Sequence, residues 1–188
     1  MSNPNETKAK INVKQLSLAG LMTAVICILG PISLQIPISP VPISLGTLAI
    51  YFVISVLGVK LGTLSVIVYI LLGLAGLPVF TGFMGGPAKL FGPTGGYIVG
   101  YIFMAPLCGL AVEKSENKPL LRILGMVGGT LVLYLFGTIW LALQLSYTFP
   151  AALMAGVIPY IPGDIVKLAI AMVVGNKLRK RLLQAGLL

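Results

Sequence analysis

The chain has 188 residues, of which 57% are hydrophobic and 9% charged, and its net charge is +9, from 13 lysines and arginines against 4 acidic residues. A soluble domain of this length carries about 25% charged residues, so the composition excludes a soluble globular domain, and its high apolar content excludes a disordered chain. We interpret the basic excess as loop charge that orients a membrane protein, not as a nucleic-acid-binding surface.

Six hydrophobic runs predict six transmembrane helices, and therefore an all-α integral membrane protein with a single transmembrane domain over residues 1–188. A polar segment, residues 1–14, precedes the runs and lacks the apolar core of a signal peptide. Gly30 and Pro31 predict a kink in the first run. The runs cover residues 16–36, 43–57, 61–77, 97–112, 123–145 and 164–181.

Proline and glycine interrupt these runs. Three prolines in residues 37–42 exclude a regular helix there, and residues 58–60 predict a short turn. The Pro-Gly pair at residues 162–163 predicts a chain break, after which Asp164 stands where a helix N-cap is expected. Residues 149–160 are apolar but short, and we interpret them as an outer helix or a re-entrant piece.

The distribution of basic residues predicts the orientation. With both termini in the cytoplasm, 11 of the 13 basic residues lie on the inner side, as the Lys/Arg bias of cytoplasmic loops requires. The predicted location is the plasma membrane. The outer loops, residues 37–42, 78–96 and 146–163, are then nearly uncharged and rich in glycine and proline. We expect them to cover a ligand pocket, the alternative being ordinary turns.

The strongest candidate site lies in the last run. Asp164 is the only aspartate, and Lys167 follows three residues later, on the same side of a helix. Ionisable residues inside a span are costly and are functional candidates. The pair either caps and stabilises the helix or faces a pocket, where it offers a carboxylate acceptor and an ammonium donor to a polar ligand. Gln144 is a further polar residue near the outer end.

Catalysis is poorly supported by the sequence. The chain has no histidine, no pair of carboxylates within a span and no Walker motif, so we predict that it is not an enzyme, and needs no metal or cofactor. An intramembrane enzyme and a scaffold without ligand remain alternatives.

Four small residues in the first run predict a helix-packing face that serves either a partner subunit or the chain itself: Ala19, Gly20, Thr23 and Ala24.

With these residues assembled, the chain resembles the BioY family, the biotin-binding S components of energy-coupling-factor (ECF) vitamin transporters, from about residue 16 to residue 181. Four stretches carry the resemblance: PVPISLGTL at 40–48, GLAGLPVF at 73–80, FGPTGGYIVGY at 91–101 and IPGDIVK at 161–167. Gly46 stands where the family commonly has glutamine.

The resemblance implies a six-helix subunit that captures biotin near the outer face and works with a transmembrane T component and two cytoplasmic ATPases. Asp164 would accept from the ureido N–H of biotin, and Lys167 would meet the ureido carbonyl or the carboxylate. The four small residues of the first run would dock the T component. The remaining implied contacts are aromatic walls from Tyr51, Phe91, Tyr97 and Tyr147, and close backbone at Gly82. An S component for another vitamin is the alternative.

Overall fold

The computed structural model describes residues 12–37, 39–115 and 118–188. Most of the predicted polar N-terminal segment, residues 1–11, lies outside the described residues. Helix α1 (Val13–Leu29) begins at a capping box, in which the Asn12 side chain accepts from the Gln15 N–H at 2.8 Å. The other helices are α2 (Gly46–Leu74), α3 (Pro87–Phe91), α4 (Gly95–Lys114), α5 (Pro119–Leu145), α6 (Phe149–Gly156) and α7 (Ile161–Gln184).

The segment between α1 and α2 forms a small antiparallel hairpin. Strands β1 (Ser33–Leu34) and β2 (Ile43–Ser44) pair with each other. As predicted from the prolines, the described residues of 37–42 are not helical. The predicted kink at Gly30 and Pro31 is wrong, because α1 ends at Leu29 and the chain turns into β1. Close packing requires the glycine, since a Cβ on Gly30 would lie 2.7 Å from the Val79 carbonyl oxygen.

Helix α2 reverses direction at Gly58. This residue has φ 77° and ψ −156°, a backbone conformation that is essentially restricted to glycine. The two arms of α2, residues 46–57 and 59–74, pack against each other, since a Cβ on Gly62 would lie 3.3 Å from the Cα of Ile54. The chain therefore turns where the sequence predicts a turn, at residues 58–60, although only Gly58 leaves the helical conformation.

Two charged side chains form hydrogen bonds with the backbone groups that lack helical partners at this reversal. The Arg179 guanidinium donates to the Val56 carbonyl at 2.9 Å, and the Val59 N–H donates to the Glu113 carboxylate at 2.8 Å. Backbone groups that lose their helical partners need such substitutes in an apolar environment. The reversal is thus held by side chains from α4 and α7.

The helices pack around α2, which contacts α1, α4 and α7, while α5 packs on α4 and α6. By length and composition alone, four helical stretches of the described chain could cross a membrane: Gly46–Leu74, Gly95–Lys114, Pro119–Leu145 and Phe149–Gln184. The first of them contains the reversal at Gly58, so its two arms are separate segments. The outward faces of α5 and α7 are apolar; for example, Leu143 is 75% exposed and Val173 57% exposed. Such faces suit lipid, not water.

The predicted start of the last helix is wrong. Helix α7 begins at Ile161, so Asp164 lies inside its first turn and does not cap it. Pro162 does not break the chain, because proline is tolerated in the first turn, where its missing N–H has no helical partner to lose. Asp164 is consequently free to direct its carboxylate toward other helices.

Candidate ligand-binding site

A cavity lies at the end of the bundle where α2 begins, between the hairpin, both arms of α2, α4, α5 and the start of α7. The empty space in this cavity, counted out to its open mouth, is about 670 Å³. The part of it in which the centre of a water molecule fits is about 60 Å³. The cavity is therefore narrow. Its lining comprises five tyrosines (69, 97, 101, 134 and 160), four hydroxyl residues (Ser44, Thr47, Thr81 and Thr94), the charged pair (Asp164 and Lys167), three glycines (30, 46 and 156) and four apolar residues (Val41, Pro42, Ile98 and Leu133).

The charged pair lies at the centre of a hydrogen-bonded group. Lys167 Nζ lies 2.8 Å from Asp164 Oδ1 and 3.1 Å from Thr47 Oγ1. The Tyr134 hydroxyl donates to Asp164 Oδ2 at 2.7 Å. Both charged side chains are mostly buried, with 9% of Asp164 and 12% of Lys167 exposed. Opposite charges at this distance offset much of each other's desolvation cost, and the pair faces the cavity instead of lipid.

Two tyrosines of the cavity lining connect the segment before α7 to α4 and to the loop before β2. The Tyr97 hydroxyl donates to the Gly156 carbonyl at 2.8 Å. The Tyr160 hydroxyl donates to Ser39 Oγ at 2.6 Å, and it also contacts the Val41 carbonyl. Ser39 in turn donates to the Ala155 carbonyl at 2.6 Å. These bonds hold the loop before β2 across one side of the cavity.

Three of the eight predicted ligand-binding residues line this cavity, namely Asp164, Lys167 and Tyr97. The structure does not bring the other five there. Tyr51 is fully buried in the core, where its hydroxyl lies 2.7 Å from Thr130 Oγ1. Phe91 on the short α3 is 66% exposed, Tyr147 beyond α5 is 43% exposed, and Gln144 is also exposed. Gly82 has φ 75° and its N–H donates to the Pro31 carbonyl, so it holds a loop together.

Sequence reasoning missed several lining residues. Tyr101 lies one helical turn after Tyr97, so the spacing of four residues could have placed both on the same face of α4. Tyr134 is the single tyrosine in a long apolar run, and a polar group at membrane depth is a sequence signal for a functional residue. Thr47 had no local signal, because its partner Lys167 is 120 residues away.

The predicted docking face in α1 divides into two sides. Ala19 and Thr23 are buried against α2, where Ser65 Oγ donates to the Ala19 carbonyl at 3.0 Å. Gly20 and Ala24 are exposed and, together with Thr23 and Cys27, line a shallow apolar groove. Packing within the chain thus uses one side, and the other remains open in the described part of the molecule.

Two further features bear on the chemistry of the site. Across the described ranges, no group of three or more His, Cys, Asp or Glu residues comes together that could hold a metal ion. Lys89 lies on α3, at the same end of the bundle as the cavity, but outside its lining. Partial burial lowers the pKa of its ammonium group below the usual value. Asp164 and Lys167 are therefore the charged groups that the structure offers to a ligand in this cavity.

Replacing Tyr134 with phenylalanine tests whether the hydrogen bond from its hydroxyl to the Asp164 carboxylate stabilises the protein. Removing a hydroxyl that donates to a buried carboxylate is expected to cost about 1.5–3 kcal/mol of unfolding free energy, measured by thermal unfolding in detergent. Tyr147→Phe is the matched control, because that tyrosine is exposed and outside the lining. Equal melting temperatures for Tyr134→Phe and the wild type would contradict the hydrogen bond.

The fold and the cavity together define a membrane-embedded helical protein that holds a charged pair among tyrosines, as a binding site for a small polar molecule would. The sequence profile of the BioY family matches residues 4–184. The chain belongs to the BioY family.

Similar proteins come from several organisms. The biotin transporter BioY of Thermotoga maritima is 39% identical, over 89% of this chain and 97% of its own length. The biotin transporter BioY2 of Lactococcus lactis is 34% identical, over 89% of this chain and 91% of its own length. The crystal structure of the S-component for biotin from an ECF-type ABC transporter matches with a TM-score of 0.82 and 36% identity, covering 89% of this chain and 92% of that one. Because these relatives are transporters, the chain is a transport protein and not an enzyme, as its sequence predicts.

Proposed function

We propose that this chain is the biotin-binding S component of an ECF-type uptake transporter. Membership of the BioY family and the likeness to the solved biotin S-component support this function. The observation that carries it is the placement of Asp164 and Lys167, which face a cavity walled by tyrosines. A purely structural ion pair would need no cavity beside it.

The chemistry of the cavity suits biotin. Its ureido ring carries N–H donors and a carbonyl acceptor, its thiophane ring is apolar, and its side chain ends in a carboxylate. Asp164 already accepts one hydrogen bond on each oxygen, but an ionised carboxylate has about four acceptor positions. It can therefore accept from a ureido N–H while Lys167 donates to an oxygen of the ligand.

The proposed contacts come from the cavity lining. Among the described residues, the hydroxyls of Tyr69 and Tyr101 make no hydrogen bond to protein. Tyr97 lines the cavity from α4, as Tyr101 does, and Tyr134 lines it from α5. Their rings suit the apolar part of the ligand. Since about 60 Å³ is narrow for biotin, we expect the lining to widen on binding. A role for Tyr51, Gly82, Phe91, Gln144 or Tyr147 would require a larger rearrangement.

We propose a six-span topology with both termini in the cytoplasm. The two arms of α2 count as separate spans because the chain reverses at Gly58, and α1, α4, α5 and α7 provide the others. The basic residues favour this orientation. Lys60, Lys118, Arg122 and Arg179 lie at the end of the bundle opposite the cavity. Since cytoplasmic loops are rich in Lys and Arg, this distribution supports the proposal that the cavity opens at the outer face of the cell membrane.

The proposed partners are a transmembrane T component and two cytoplasmic ATPases, because the chain has no Walker motif of its own. The exposed Gly20 and Ala24 offer a groove where a partner helix could approach closely. Ala19 and Thr23, on the buried side, would support that surface from within.

The test is ligand binding by the purified chain. We expect biotin, added without ATP or partner subunits, to bind and to compete better than other vitamins in isothermal titration calorimetry. Stronger binding of another vitamin would change the assignment to an S component for that molecule. Recovery of chemically altered biotin by mass spectrometry would favour an intramembrane enzyme, and no binding of any vitamin would favour a scaffold.

A further inference from the structure

A second cavity lies at the opposite end of the bundle, between the end of α4, the start of α5 and the last turns of α7. We call it the basic cavity, and its polar lining includes Glu113, Lys118, Arg122, Asn176, Arg179 and Lys180. About 450 Å³ of it is open to the centres of water molecules, against about 60 Å³ in the ligand-binding site. The basic cavity is thus the roomier of the two.

The charges around the basic cavity are unbalanced. Four basic side chains line it with one carboxylate, which gives a net charge of +3 from these residues. Glu113 accepts the Val59 N–H at the reversal of α2. Among the residues described by the structure, the Asp164–Lys167 pair is the only salt bridge. The cations of the basic cavity therefore have no carboxylate partner within the described chain.

The two guanidinium groups are held in place by neutral acceptors. Arg122 Nε donates to Ser115 Oγ at 3.0 Å, and another of its nitrogens donates to the Val112 carbonyl at 3.1 Å. Arg122 also contacts Asn176, and Arg179 donates to the Val56 carbonyl. Each guanidinium has five N–H donors, so donors remain for an anion. Fixed guanidinium groups with spare donors suit a phosphate.

Apolar surface continues from the basic cavity. Leu183 lies in its lining and is 49% exposed. Leu120 and Leu124, in the first turns of α5, are 67% and 59% exposed. A phosphate with acyl chains attached would place its charge in the cavity and its chains on these helices. Basic pockets between helices at the membrane interface are a known form of lipid-headgroup site.

We propose that the basic cavity binds the phosphate group of an anionic phospholipid. This site is separate from the proposed biotin site and does not depend on which vitamin the chain carries. Binding brings one negative charge among these cations and lowers the net positive charge of the site, and the acyl chains distinguish the lipid from free phosphate, which would make only the polar contacts.

The test uses the purified full-length chain in neutral detergent at fixed ionic strength. It is titrated with phosphatidylglycerol, phosphatidylcholine or inorganic phosphate, and binding is measured by native mass spectrometry and calorimetry. We expect phosphatidylglycerol to bind more tightly than either of the other two. The double variant Lys118→Gln/Lys180→Gln is expected to weaken phosphatidylglycerol binding about 30-fold.

The matched control is Lys60→Gln/Lys177→Gln, which removes the same charge from exposed lysines outside the lining. We expect it to retain nearly all of the affinity. Equal weakening by the two double variants would overturn the site in favour of diffuse interfacial charge. Equal affinity for phosphatidylcholine, or for inorganic phosphate, would overturn the assignment to an anionic lipid. Unchanged melting temperatures verify that the variants fold.

Discussion

Asp164→Asn is expected to weaken biotin binding by at least about 1.4 kcal/mol, or tenfold. The substitution removes the negative charge of the carboxylate, which accepts hydrogen bonds from Lys167 and Tyr134. It also leaves the mostly buried Lys167 without a counter-ion. A neutral amide also offers one acceptor oxygen in place of two, so the ureido N–H competes with both protein donors for it. Calorimetric titration of the purified variant with biotin measures the loss.

A double variant separates binding from stability. Asp164→Asn alone is expected to lower the melting temperature of the ligand-free protein, because Lys167 keeps an uncompensated charge. Adding Lys167→Gln removes that charge and is expected to restore most of the stability while leaving biotin binding weak. If the double variant binds biotin as tightly as the wild type, Asp164 acts only through Lys167 and does not contact the ligand.

Gly58→Ala is expected to destabilise the protein by about 2–4 kcal/mol. The backbone at φ 77° and ψ −156° is strained for any residue with a Cβ, and the added Cβ would lie 2.4 Å from the Glu113 carboxylate oxygen. The carboxylate would have to move and would lose its bond to the Val59 N–H. Thermal unfolding in detergent measures the effect.

Gly128→Ala is the matched control for this prediction. Gly128 lies inside α5, and a Cβ there would meet no atom within 4 Å, so we expect the alanine to be neutral or slightly stabilising. Comparable melting temperatures for the two variants would show that the reversal of α2 does not need a glycine. Biotin binding by folded Gly58→Ala is expected to persist, because Gly58 lies at the opposite end of the bundle from the cavity.

Several features of the site could be predicted because they depend on neighbouring residues alone. Asp164 and Lys167 face the same side of a helix by spacing, and their ion pair in the structure follows from that geometry. Tyr97 also lines the cavity. Two of the predicted aromatic residues, Tyr51 and Phe91, lie outside the cavity lining for a common reason. Nothing in the sequence near Tyr51 distinguishes the core from a cavity wall, and nothing near Phe91 shows that α3 leaves its ring exposed.

The sequence by itself determined the membrane environment, because a chain with 9% charged residues cannot cover a water-facing surface. It also determined the charged pair, because helical spacing sets which near neighbours share a face. Only the tertiary structure decided that Thr47 and Tyr134 complete that group, that Gly20 and Ala24 face outward while Ala19 and Thr23 do not, and that basic residues from α5 and α7 surround one cavity. These arrangements join residues tens of positions apart, and helix packing, which local spacing does not specify, brings them together.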